Sequence, residues 1–152
     1  MLDLYEELGA IVAALNERRL EYALCGGLAM AVHGFVRATV DIDLFVPDDQ
    51  VGAIEDAVGN LGYLIKARPM TFSDGAVAIR RVSKVDRADG DTMILDLLLV
   101  TAATAPIWAG REQLTWNGQP ITVVSREGLI ALKRYRSSSQ DLADIERLET
   151  GE

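Results

Sequence analysis

Residues 25–46 read CGGLAMAVHGFVRATVDIDLFV. The run Tyr22-Ala23-Leu24-Cys25 is apolar and stops at Gly26-Gly27, which predicts a brief buried strand entering a tight turn. Leu28 to His33 then predicts a helix that breaks near Gly34. Thr39 to Val46 alternates on the strand period and stops at Pro47. In such a strand Asp41 and Asp43 project to one side, while Val40, Ile42 and Leu44 point into the core. At about 3.3 Å per residue their Cα atoms lie roughly 6–7 Å apart, within reach of shared divalent cations. A bare Asp-x-Asp also suits a turn or a solvated edge. Here β-formers flank both acids, against the propensity of Asp, and a bound cation would remove the repulsion between them.

Outward from this block the chain alternates helix and strand. Leu4, Leu8, Ile11, Val12 and Leu15 have helical spacing and predict an amphipathic helix to about Arg19. Asp48 and Asp49 look like the cap of a helix running to about Leu61. Ala76–Val85 and Thr92–Val100 are β-rich and separated by the polar cluster DRADGD, which predicts an antiparallel hairpin. A second hairpin is expected around Asn117-Gly118. Ser125 caps a helix through Leu129, Ile130, Leu132 and Lys133, and another follows from about Asp141 to Leu148. No internal repeat or linker interrupts this order, so residues 1–152 are expected to form one α+β domain with a helical segment at 125–152.

Asp96 interrupts MILDLLLV, a strand otherwise apolar on both faces. A carboxylate there needs a metal, a cleft or an ion-pair partner, and Arg80 or Arg81 on the facing strand could be that partner. Gly26-Gly27 before a helix reads either as a plain turn or as a cradle for phosphate oxygens. Arg37 is placed to reach a phosphate or to balance the carboxylates as a surface cation. Lys133, Arg134 and Arg136 form a basic cluster on a helix, read as a solvated face or as a local RNA-binding patch. His33, the only histidine, fits a packed, hydrogen-bonded position, and Cys25 an inert core thiol.

Composition narrows the classes. The 152 residues, 49% hydrophobic, suffice for a packed core without staples. A single cysteine excludes an internal disulfide, and no apolar stretch approaches the ~20 residues of a membrane span, so a cytoplasmic protein is expected. The net charge of −8 disfavours a dedicated nucleic-acid-binding module.

The block at 25–46 resembles the opening of polymerase-beta-like nucleotidyltransferases, closest to the AbiEii-type family of bacterial toxin–antitoxin systems. The shared pattern is a strand, Gly26-Gly27, a helix, Arg37-x-Thr39, then Asp41-x-Asp43 in a strand. Asp96 matches the third carboxylate of that pattern. In the tail ITVVSREGLIALKRYRSSSQDLADIERL, Lys133 matches a helical lysine and Asp141 or Asp144 a later acid. Gly27 departs from the serine many active members carry. The resemblance implies a single α+β nucleotidyltransferase domain, a mixed twisted β-sheet with helices packed mainly on one face. It implies transfer of a nucleoside monophosphate from a nucleoside triphosphate to a hydroxyl of RNA, protein or a small molecule. Two Mg²⁺ ions, or Mn²⁺, would be held by Asp41, Asp43 and Asp96, and phosphates by Gly26, Gly27, Arg37 and Lys133. Asp96 would also help to deprotonate the acceptor. An antitoxin protein would be a further partner, and a weakly active or inactive nucleotide- or partner-binding module is the alternative.

Overall fold

A computed structural model describes residues 1–151. Six α-helices and eight β-strands follow one another in it as a mixed α+β fold. The opening helix α1 spans Leu4–Glu17, capped by the Asp3 side chain, and buries Leu8, Ile11, Val12 and Leu15 on one stripe. Strand β1 (Ala23–Cys25) is wholly buried, and α2 (Gly26–Val32) starts directly at the glycine pair. After β2 (Ile42–Val46), one 3-10 turn over Asp48–Gln50 leads into α3 (Val51–Gly59).

The middle of the chain builds the long hairpin of β5 (Val77–Val85) and β6 (Thr92–Leu99), preceded by short strands β3 (Ile65–Lys66) and β4 (Met70–Phe72). A short helix α4 (Ala105–Ala109) precedes the β7 (Glu112–Trp116) and β8 (Gln119–Val123) hairpin, which turns at Asn117-Gly118 with φ of +49° and +76°. Helices α5 (Arg126–Arg136) and α6 (Ser139–Thr150) close the described chain and pack on each other.

The strands form one mixed sheet in the order β3-β5-β6-β2-β1-β8-β7, with β4 also paired to β5. β1 and β2 run antiparallel, whereas β1 with β8 and β2 with β6 are parallel. The central pair is buried on both faces, as the apolar runs IDLFV and ILDLLL require. Ile42, Leu44, Leu95 and Leu97 are all fully buried and lie on one face of the sheet. Phe45 lies on the other face and meets Trp108 of α4 edge-on, with centroids 5.7 Å apart.

Two expectations are corrected. The strand begins at Ile42, not Thr39, because β1 ends opposite Asp43 and β6 first meets this segment at Ile42. Asp41 therefore stands on the approach to the strand, and Val40 is 78% exposed instead of pointing into the core. Among the described residues no helix is long and apolar enough to cross a membrane.

Candidate functional site

The parallel register of β2 and β6 sets Asp43 directly beside Asp96, and the antiparallel register of β5 sets Arg81 opposite Asp96. Side chains at paired positions share a face, so two carboxylates and one guanidinium meet where β1 gives way to α2. Asp41, two residues before Asp43, lines the same cavity of about 420 Å³, together with Gly26, Gly27, Arg37 and Lys133. All seven residues singled out in the sequence are thus brought together. A larger open depression of about 650 Å³ around Tyr22 and Arg111 lies toward the start of β1, and none of its charged residues is buried. The first cavity is the candidate site.

Backbone geometry explains the glycine pair. Gly26 has φ of +69°, and a Cβ there would overlap the Asp43 carboxylate. At Gly27 a Cβ would lie 2.8 Å from Thr39 Oγ1 and 3.2 Å from Arg37 Cζ. The loop carrying Arg37 and Thr39 thus packs onto the start of α2, and a serine at 27 would require Thr39 to move.

Electrostatics sort the acids into two kinds. Burial first, and the neighbouring Asp96 second, push the Asp43 carboxyl up to about 7 from an ordinary 3.8, and Arg136 and Lys133 offset only part of this. Burial and Asp96 move Asp41 in the same direction. These are anions short of cations. Asp96 has found one: Arg81 Nε and Nη2 donate to its two oxygens at 2.8 and 3.0 Å. Of the two readings open for this residue, the ion pair with the facing strand is the one drawn, and Arg81 is the partner.

Asp144 is the opposite case. It has no exposed surface, and it accepts from Lys133 Nζ at 2.9 Å, Arg37 Nε at 3.1 Å and Gln140 Nε2 at 2.8 Å. Burial would raise its carboxyl, but the hydrogen bonds from Lys133 and Gln140, with the charges of Lys133 and Arg37, outweigh burial and hold it below the ordinary value. The nearby Asp141 completes a capping box with Ser138 at the start of α6 and lies 3.8 Å from Lys133 Nζ.

The basic cluster on α5 is therefore not one patch. Lys133 is buried among acids, Arg134 points away to Glu149 at 2.7 Å, and Arg136 reaches back over the cavity. Arg81 is the ion-pair partner that sequence reasoning named beside Arg80, and Arg136 belongs to the basic cluster it named. That both line the cavity was not expected, since nothing in their spacing marks them off from ordinary surface cations. His33 is hydrogen-bonded through Nε2 to the Val124 carbonyl at 2.8 Å, and Cys25 is a buried thiol pushed well up by burial, as expected of both.

The donor set suits a hard divalent cation, being all carboxylate oxygen in a polar cavity. In the arrangement drawn, Arg81 covers both Asp96 oxygens. Among the described residues no three acidic, histidine or cysteine side chains already converge as a ligand set. Asp41 and Asp43, which pair with no cation among the described residues, are the residues that would hold such an ion, and Asp96 would join them once Arg81 turned aside.

Two stability measurements check these assignments. Folded Asp43 keeps its proton up to about pH 7, whereas an unfolded aspartate releases it near 3.8. Between those values folding takes up a proton, so metal-free protein should lose stability as pH rises through that window. Urea midpoints from pH 4 to 8 in EDTA should fall for the wild type and flatten for Asp43→Asn. An unchanged slope in the variant would remove Asp43 as the source. Asp144→Asn should cost about 3 kcal/mol at pH 7, because it leaves Lys133 and Arg37 facing an uncharged buried partner. A loss below about 1 kcal/mol would mean that Asp141 alone suffices to hold Lys133.

No protein-family model matches the chain, and no curated protein matches it at a significant level. Solved structures do match. ANT(2")-Ia in complex with adenylyl-2"-tobramycin aligns with a TM-score of 0.59 at 20% identity, over 95% of this chain and 86% of that one. The lincosamide antibiotic adenylyltransferase LnuA, lincomycin-bound, aligns with a TM-score of 0.60 at 14% identity, over 95% of both chains. TM1012 of Thermotoga maritima aligns with a TM-score of 0.57 at 16% identity, over 96% and 88%. The chain has the fold of these nucleotidyltransferase structures.

Proposed function

We propose that the chain is a metal-dependent nucleotidyltransferase that moves a nucleoside monophosphate from a nucleoside triphosphate to a hydroxyl acceptor. The observation that carries this reading is the pairing of Asp43 with Asp96 on adjacent strands, with Asp41 at the lip of the same cavity. Such crowding of acids disfavours the folded state unless a cation is bound. Bound Mg²⁺ or Mn²⁺, with two ions as the working number, would supply charge neutralisation and orientation for phosphoryl transfer.

Asp41, Asp43 and Asp96 are the proposed metal ligands. Gly26, Gly27 and Arg37 form the proposed phosphate wall, and Lys133 supports it from behind by fixing Asp144. In the reaction the acceptor oxygen forms a bond to the α-phosphorus, the bond to the bridging oxygen breaks, and pyrophosphate leaves. The acceptor proton goes to Asp96, which must first be free of Arg81.

A small hydroxylated molecule is the acceptor we favour. The acidic surface, at −8 net charge, repels RNA, and two of the matching structures hold antibiotic-derived molecules. A protein or RNA acceptor, with an antitoxin partner, belongs to the AbiEii-type reading of residues 25–46. One observation favours a second reading, a nucleotide-binding module without turnover. The Arg81–Asp96 pair already neutralises the third carboxylate.

Incubation with labelled nucleoside triphosphates, Mg²⁺ and separate pools of aminoglycosides, lincosamides, RNA and protein separates these readings. Label should move to a small-molecule pool. Asp41→Ala with Asp43→Ala should reduce transfer at least about 100-fold, the scale of losing a preorganised electrostatic contact, while far-UV dichroism is unchanged. Full transfer by that double variant would remove the metal-site assignment, and nucleotide binding without transfer would leave the module. Arg81→Gln should tighten Mn²⁺ binding to the nucleotide-free protein about tenfold, as expected if ~1.4 kcal/mol of competing ion pairing is lost. Equal Mn²⁺ affinity by paramagnetic resonance would show that Arg81 does not compete with the ion.

A further inference from the structure

Four cationic side chains line the acid cavity: Arg37, Arg81, Lys133 and Arg136. Three of them are already committed. Arg37 donates through Nε to Asp144, and its Nη2 lies 3.1 Å from the same oxygen. Arg81 is bidentate on Asp96. Lys133 is buried, with Nζ 2.9 Å from Asp144 and 3.8 Å from Asp141. A cation held this way is oriented, but its charge is largely matched by a neighbour before any ligand arrives.

Arg136 differs. Its side chain is 52% exposed, and its nearest acid is Asp141 at 3.9 Å, beyond hydrogen-bond reach. That Asp141 oxygen already accepts from Ser138 N at 3.2 Å and Ser138 Oγ at 2.6 Å, so it has little left to offer a guanidinium. Among the described residues the Arg136 side chain makes no hydrogen bond. It is nonetheless aimed inward. It stands one turn beyond Lys133 on α5 and borders the narrow crevice that Cys25, Gly26 and Asp43 share. Its planar fork of donors matches the oxygens of a phosphate.

We propose that Arg136 is the residue that grips the polyphosphate of the incoming nucleotide, with Arg37 and Lys133 as the fixed frame behind it. This rests on the reading of the cavity as a nucleoside triphosphate site. It also reassigns the role expected of Lys133, whose donors face buried acids.

Binding of Mg²⁺-tripolyphosphate, and then of each of the four ribonucleoside triphosphates, should be measured by titration calorimetry on the full chain. Arg136→Gln should weaken the affinity about 10- to 100-fold, the range for losing charge-assisted hydrogen bonds to an anion. Arg136→Lys should recover part of it. Arg134→Gln, two residues away and outside the cavity, should stay within about twofold of wild type and so controls for the general loss of one positive charge. Arg136→Gln should melt close to the wild-type temperature, because the half-exposed side chain loses only its 3.9 Å approach to Asp141 and a weak field on Asp43. Wild-type affinity in Arg136→Gln, or equal weakening in Arg134→Gln, would overturn the assignment while leaving the nucleotide site standing. If the wild type binds neither tripolyphosphate nor any of the four nucleotides, the site reading itself falls and takes the assignment with it.

Discussion

Two aspartates on neighbouring parallel strands, held side by side by the β2–β6 register, are the constraint around which this fold is arranged. Like charges at paired positions are unfavourable, and burial makes them more so, as the raised Asp43 carboxyl reports. A structure that tolerates such a pair must surround it with positive charge. The chain does so only in part: four cations from the loop before β2, the facing strand β5 and helix α5 line the cavity, but Arg37 and Lys133 are bonded to Asp144. The hydrophobic sheet beneath supplies the rigidity. Ile42, Leu44, Leu95 and Leu97 lock the two strands in register, so the acids cannot drift apart to relieve their repulsion.

Much of this was legible in the amino-acid order, and the reasons are specific. Asp41 and Asp43 betrayed themselves because Asp is out of place among β-formers, and Asp96 because it breaks a run of aliphatic residues. The two hairpins were legible from turn chemistry, DRADGD and Asn117-Gly118, whose polar and glycine content suits sharp reversal. Missed elements were short ones. β3 has two residues and β4 three, and α4 has five around Pro106, too few for any periodicity to stand out.

The charges were harder. A lysine at 133 beside arginines at 134 and 136 looks like one basic face, yet each side chain goes elsewhere. The difference lies in α6, which folds back on α5 and brings Asp144 to Lys133 and Glu149 to Arg134. Such partners are distant in sequence, so no local pattern announces them. For Asp96 the local reading left an ion pair and a metal equally open, and the cross-strand register selects Arg81 over Arg80 because only Arg81 shares its face.

Asp144 joins segments 107 residues apart when it meets Arg37. Contacts of that sequence separation close slowly, since a long stretch of chain must be ordered before they are made. The wall behind the cavity therefore cannot exist before α6 docks, however early the acid-bearing strands pair. A growing polypeptide still on the ribosome could pair Asp96 with Arg81, but Asp43 would lack Lys133 and Arg136 until α5 and α6 had emerged and folded back.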